Sequence, residues 1–297
     1  MHKFLSVSLI AFLIALAPVG GVAQDGASGP DGASGPDGEE AYEAAIDAWT
    51  LAQKEHRDAY MGADTEEEQE RIWSEERPDP DQFASAFLVV AEVHPGGKVA
   101  LDCLGWVAGN AQDVKLIDFS IRVVLTQHLQ QAELSGFVDS VARSSNISAE
   151  RALQTIFTSS PHRDVKGKAC YHLGMKKLSS ARLARRVAAY VESGIDPLEA
   201  FNGYYTEVAV TRAKGLDAKV IQAVGEKLLD RVVNEFGDVE GRRRTLGESA
   251  ASELFEIRKL QIGMMAPEIV GEGIDEKAMK LSQFKGKIVV LDFWGDW

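Results

Sequence analysis

The sequence predicts a mainly α-helical protein that ends in a short β segment. Apolar residues recur at helical spacing from Ala41 to about Leu260. The breaks between these stretches carry helix-capping or helix-stopping residues. After Leu260 the pattern changes to hairpin and strand signals.

Composition narrows the function classes. At 297 residues, with 45% apolar side chains, the chain is long enough for about two domains and too apolar for wholesale disorder. Lys and Arg number 32 against 45 Asp and Glu, a net charge of −13. Binding to a phosphate backbone needs clustered cations, so nucleic acid is not an expected partner. Two cysteines cannot frame a disulfide scaffold, a zinc cluster or an iron–sulfur site. The six histidines show no metal-ligand spacing, and no P-loop, GxGxxG or GxSxG motif is present. No metal site is therefore proposed.

The N-terminus reads as an export signal. Met1-His2-Lys3 precedes a 14-residue apolar run, Phe4 to Ala17, and Gly21-Val22-Ala23 offers a small-x-small cleavage site. Residues 1–23 are expected to be a signal peptide cleaved before Gln24, delivering the protein to the periplasm or the extracellular space. The alternative is an uncleaved membrane anchor, for which the run is short. Residues 24–40 are expected to be a linker, because Asp25–Pro30 repeats as Asp31–Pro36 and Gly, Ser and Pro at this density bury too little surface to order a chain. A calcium site on the recurring Asp residues is set aside, since carboxylates on a mobile chain are not preorganised.

Residues 41–260 are expected to form the helical domain. Its stripes are Tyr42, Ile46 and Trp49, then Phe83, Phe87 and Val90, then Val114, Ile117, Ile121, Val124 and His128. Leu183, Val187 and Tyr190 follow, then Leu198, Phe201, Tyr205 and Val208, then Ile221, Val224 and Leu228, and last Leu246, Ala250, Leu254 and Ile257. Arg77-Pro78-Asp79-Pro80 and His94-Pro95-Gly96-Gly97 cannot continue a helix. Ser160-Pro161 and Asp196-Pro197 each place a capping side chain before a proline suited to a first turn. Short connections predict antiparallel helical hairpins. Lys98–Gly105 and Gly167–Gly174 resemble each other, which leaves a tandem repeat and a closed bundle both open.

Candidate sites in this region are few. Cys103 and Cys170 lie in apolar helical context and read as buried core residues, with pairing in an oxidising compartment as the alternative. His128 reads as a satisfied core histidine. Arg242-Arg243-Arg244 reads as a solvated turn or helix start, and Glu66-Glu67-Glu68 as an exposed face. Asn146-Ile147-Ser148 fits a glycosylation sequon, a tripeptide that also arises by chance.

The last 35 residues carry more chemistry. Ile269-Val270, the turn from Gly271 to Glu276, and Ala278 to Leu281 predict a hairpin. Ile288 to Trp294 is a nearly continuous apolar run with a β-branched start, as expected of a central strand buried on both faces. Asp292 interrupts it. An acid inside a buried strand has its pKa raised and suits proton transfer; the other placement is an exposed strand end.

These residues resemble a known family. LDFWGDW (Leu291 to Trp297) is similar to the strand leading into the active site of thioredoxin-like proteins. G-x-x-A-P at Gly263 to Pro267 and L-S-x-F-K-G-K at Leu281 to Lys287 resemble the start of a redoxin (AhpC/TSA-related) domain, more narrowly secreted thiol:disulfide oxidoreductases of the TlpA/ResA type. The resemblance implies that residues 263–297 are the first hairpin and strand of an incomplete thioredoxin-like α/β domain following the helical-hairpin or repeat domain. It implies dithiol–disulfide exchange with protein thiols and disulfides as partners, an unidentified electron donor and no cofactor. It further implies that a Cys-x-x-Cys pair follows Trp297 directly, that Asp292 relays a proton from the second Cys, and that Phe293, Trp294 and Trp297 flank the dithiol. The 297 residues contain no Cys-x-x-Cys, so the chain as given is expected to be inactive. Glu276, where Asp-Gly would suit a hairpin turn better, and Ala278, where the family often has Pro, depart from the pattern.

Two other readings stand beside this one. The helical domain alone fits a non-enzymatic envelope scaffold that binds a protein partner. A thiol peroxidase of the AhpC/TSA type shares the early motifs, but such enzymes usually place Pro and Thr near the reactive Cys rather than Trp just before it.

Overall fold

The computed structural model describes residues 37–273 and 276–294. The expected signal peptide, most of the linker and Trp297 lie outside these residues. The described chain is mainly helical, with twelve α-helices followed by a two-stranded sheet.

The helices begin where the sequence supplies acceptors for their free N–H groups. Asp37 caps α1 (Gly38–Gly62), accepting from Glu40 N at 2.9 Å, and Glu39 and Glu40 place negative charge at the positive end of the helix dipole. Residues 38–40, expected in the linker, are therefore helical. Thr65 caps α2 (Glu66–Glu75) and Asp79 caps α3 (Pro80–Val93). Gly96 precedes α4 (Gly97–Asn110), and Asp113 caps α5 (Val114–Gln127). α6 (Leu134–Val141) and α7 (Ile147–Ser159) follow. The Arg77–Pro80 and His94–Gly97 breaks separate α2 from α3 and α3 from α4, as expected, with Pro80 and Gly97 opening the next helix. The Asn146 side chain, in the tripeptide that fits a sequon, is the cap of α7 and accepts from Ser148 N at 3.0 Å.

Ser160-Pro161 behaves differently from expectation. α8 (Arg163–Glu192) starts two residues after Pro161, with His162 at its cap position and Ser160 Oγ accepting from His162 N at 3.3 Å. Asp196 does cap α9 (Pro197–Phe201) ahead of its first-turn proline. α10 (Glu207–Lys214) and α11 (Ala218–Glu235) follow. The three arginines form the tight turn before α12 (Leu246–Lys259), closed by a bridge between Glu240 and Thr245, and Thr245 with Glu248 forms a capping box.

Helices pack mainly on their near neighbours along the chain: α1 on α3, α3 on α4, α4 on α5 and α6, α5 on α7, and α6 and α7 on α8. The first stripes meet as an aromatic cluster. Phe87 stacks on Trp106 at 4.0 Å, and Trp49 meets Trp106 and Phe83 edge-on. α8 is the hub, packing on α6, α7, α10 and α11. Two glycines let α8 and α11 approach closely: a Cβ on Gly174 would lie 2.8 Å from Leu229 Cδ2, and one on Gly225 would lie 2.9 Å from Leu178 Cδ2. The similar segments Lys98–Gly105 and Gly167–Gly174 share this device, since Gly105 packs against Ser140 of α6.

Three expected stripes include an exposed residue, the first being Val114 at the start of α5. In α11 the buried positions are Gly225, Leu229 and Val232, while Val224 is exposed. Val208 is also exposed, and the second, smaller core is built from Val187, Phe201, Val210 and Ala213.

β1 (Val270–Glu272) and β2 (Ala278–Lys280) form the expected antiparallel hairpin, with Gly271 opposite Met279. A 3-10 turn, Leu281–Phe284, follows. The expected strand Ile288–Trp294 is not formed: these residues carry no ladder, and their apolar side chains are exposed. A parallel central strand needs a partner on each edge and a layer on each face, and the described residues supply neither to this segment.

Candidate functional site

Asp292, Phe293 and Trp294 follow a turn that leaves the hairpin. Leu281 N donates to Ile269 O at 2.9 Å, and Ser282 N donates to Glu268 Oε1 at 2.9 Å. These Ser282 contacts hold the Glu268 carboxyl below its ordinary range. Gly286, at φ 82°, reverses the chain in the left-handed region that glycine adopts without strain. Beyond it, Asp292 is exposed, as are Phe293 and Trp294 at 82% and 84%. Of the two placements left open for Asp292, a buried strand position or an exposed end, the structure has the exposed one, with no strand among the described residues enclosing it. Asp292, Phe293 and Trp294 are consecutive in a segment without regular secondary structure; Trp297 is outside the described residues.

Neither cysteine stands in for a reactive dithiol. Cys103 and Cys170 are both free and fully buried. Burial pushes each thiol up to about 12, so the nucleophilic thiolate is scarce at neutral pH. Cys170 Sγ donates to Leu228 O at 3.4 Å across the α8–α11 contact. His128, 2% exposed, is a core residue with its Nδ1 3.2 Å from Gln131 Oε1.

Sequence reading missed a chain of polar clamps along α8. This helix carries eight Lys and Arg against two acids, in a chain whose net charge is −13. That local inversion of charge was the available signal. His172 Nε2 lies 2.9 Å from Asp139 Oδ1, and Lys168 Nζ donates to Asp139 Oδ2 at 2.6 Å. Partial burial pushes the Asp139 carboxyl up, but these two hydrogen bonds outweigh it and hold the group below its ordinary range. Glu150 of α7 is held low in the same way by Lys177 and by Arg212 of α10, the latter at 2.9 Å. Lys176 Nζ donates to Ser144 O at 2.6 Å, and burial lowers its ammonium pKa. A carboxylate orienting a histidine also occurs in catalytic sites. Here Lys168 takes the second oxygen of the same carboxylate, and the arrangement ties α6, α7 and α10 to α8.

Among the described residues, no group of three or more His, Cys, Asp and Glu is placed to hold a metal ion. No described helix is long and apolar enough to cross a membrane. No family model, curated protein or solved structure matches the chain.

Proposed function

We propose that residues 263–294 are the entry to a thioredoxin-like domain, and that the protein is an extracytoplasmic thiol:disulfide oxidoreductase. The observation that supports the reading is the order of elements in the tail: a hairpin, a 3-10 turn, a glycine at positive φ and then an exposed apolar segment with no strand partner among the described residues. Ile288, Val289, Val290 and Leu291, exposed to water, leave apolar surface that the neighbouring strands and layers of such a domain would cover. The motif residues of the tail supply the resemblance to redoxins.

On this reading the dithiol follows Trp297. A thiolate of that pair attacks a substrate disulfide, expelling one substrate thiolate and leaving a mixed disulfide. The second thiol of the pair loses its proton to Asp292 and attacks the mixed disulfide, releasing the other substrate thiolate. Asp292 acquires the low-dielectric surroundings this role needs when flanking strands enclose Ile288–Trp294. The helical domain, joined to an exported N-terminus, holds the redox domain outside the cytoplasm.

Insulin reduction tests the proposal with three proteins: the 297-residue chain, a chain continued through the coding sequence that follows Trp297, and the continued chain with Asp292→Asn. Turnover is expected only when Cys-x-x-Cys is present, with Asp292→Asn slower by about 10-fold to 1,000-fold. A continuation lacking the cysteine pair, or equal turnover by the 297-residue chain, would overturn it.

A further inference from the structure

The acidity of the protein is concentrated at one end of the helical domain. Residues 38–77, which span α1, α2 and the following Arg77, hold thirteen Asp and Glu against four Lys and Arg, a net −9 out of −13 for the whole chain. The same two helices enclose a shallow notch of about 350 Å³ lined by Tyr60, Glu66, Gln69, Glu70 and Trp73. Glu66, Gln69, Glu70 and Trp73 fall three or four residues apart, so they form one stripe of α2. Trp73 is 57% exposed, an unusual position for the largest apolar side chain, and Tyr60 meets it edge-on at 6.0 Å.

We propose that the α1–α2 pair is a docking face for a lysine- or arginine-rich peptide segment of a partner protein, with the Tyr60–Trp73 notch receiving one cationic side chain. An indole face attracts cations through its quadrupole, and carboxylates beside it add Coulomb attraction. The chain itself shows that this ring takes a cation: the Arg77 guanidinium lies over it at 5.4 Å, and the incoming side chain replaces Arg77 there. Charge complementarity selects the occupant. An acidic partner would be repelled by this face, whereas a basic segment is steered to it by the field of the surrounding carboxylates. The notch admits one side chain, and the acidic flanks of α1 and α2 accommodate its charged neighbours.

The test is fluorescence anisotropy of a fluorescein-labelled peptide of alternating lysine and serine, titrated with the full chain. Binding is expected, and it should weaken steeply with added salt. Trp73→Leu keeps an apolar side chain but removes the ring and should weaken binding about threefold to fivefold. Glu66→Gln with Glu70→Gln should weaken it more than Asp118→Asn with Glu192→Gln, a charge-matched pair of exposed acids on α5 and α8. Equal weakening by the two pairs would mean attraction by net charge alone and would overturn the notch. Unchanged affinity in a Trp73→Leu protein with unaltered thermal unfolding would overturn it as well, as would failure of the parent chain to bind at low salt.

Discussion

Gly109 of α4 lies against the carbonyl of Ser140 in α6: a Cβ at Gly109 would stand 2.5 Å from that oxygen. In a helix interior alanine gains about 1 kcal/mol over glycine, and at Gly109, next to last in α4, the gain is smaller. Here the added carbon meets backbone rather than a movable side-chain end, so the two helices must separate. Gly109→Ala is expected to destabilise the domain by about 1–3 kcal/mol, the range for overpacked contacts. Gly62→Ala, at the end of α1 with nothing within 4 Å, should be neutral or slightly stabilising. Urea denaturation of the two variants checks the contrast, and a stabilised Gly109→Ala protein would contradict the α4–α6 contact.

Glu150 predicts a pH dependence. Its folded-state pKa is depressed, so its contribution is fully present above the unfolded carboxylate range and is lost as pH falls through the folded value. Glu150→Gln should cost about 2 kcal/mol at pH 7, because Lys177 loses a charged acceptor. The gap to the parent protein should close as pH falls below about 4. A gap of constant size from pH 7 to pH 3 would show that the charge of Glu150 is not what matters.

The two thiols predict a reactivity pattern. Native protein at pH 8 should react with an aromatic disulfide reagent only as fast as it unfolds, and denatured protein should titrate both cysteines at once. Rapid modification of one thiol in the native state would place that cysteine at the surface.

The tail predicts self-association. Ile288 and Val290 are 99% and 87% exposed in an apolar run, a surface that favours association between copies. Val290→Lys should lower the concentration-dependent sedimentation coefficient without changing the unfolding midpoint of the helices. An unchanged sedimentation profile in a parent chain that self-associates would place the contact elsewhere.

Helical spacing made most of the helical domain legible, because Tyr42, Trp49, Phe83 and Phe87 are apolar residues whose periodicity leads directly to the core they build. α11 was misread for a physical reason: its contact with α8 is centred on Gly225, a residue with no side chain to register in an apolar stripe. The hairpin was legible from local turn chemistry. Strand formation at Ile288–Trp294 depends on neighbours that local sequence cannot supply, and the structure leaves that segment unpaired. The clamps at Asp139 and Glu150 were illegible because their partners lie 27 to 62 residues away along the chain.

α8 runs for 30 residues, about 45 Å, through two cores. Val165, Ala169, Cys170 and Leu173 belong to the main one, while Val187 belongs to the smaller one shared with α9 and α10. The division between the two cores therefore crosses a continuous helix instead of a loop. A rod held at both ends couples its sockets mechanically: tilting α9 and α10 turns the same axis on which α6 and α7 rest. Amide exchange across Ala181–Val187 would then mark a gradient of protection within a single element, where a hinged pair of domains would show a step at their linker.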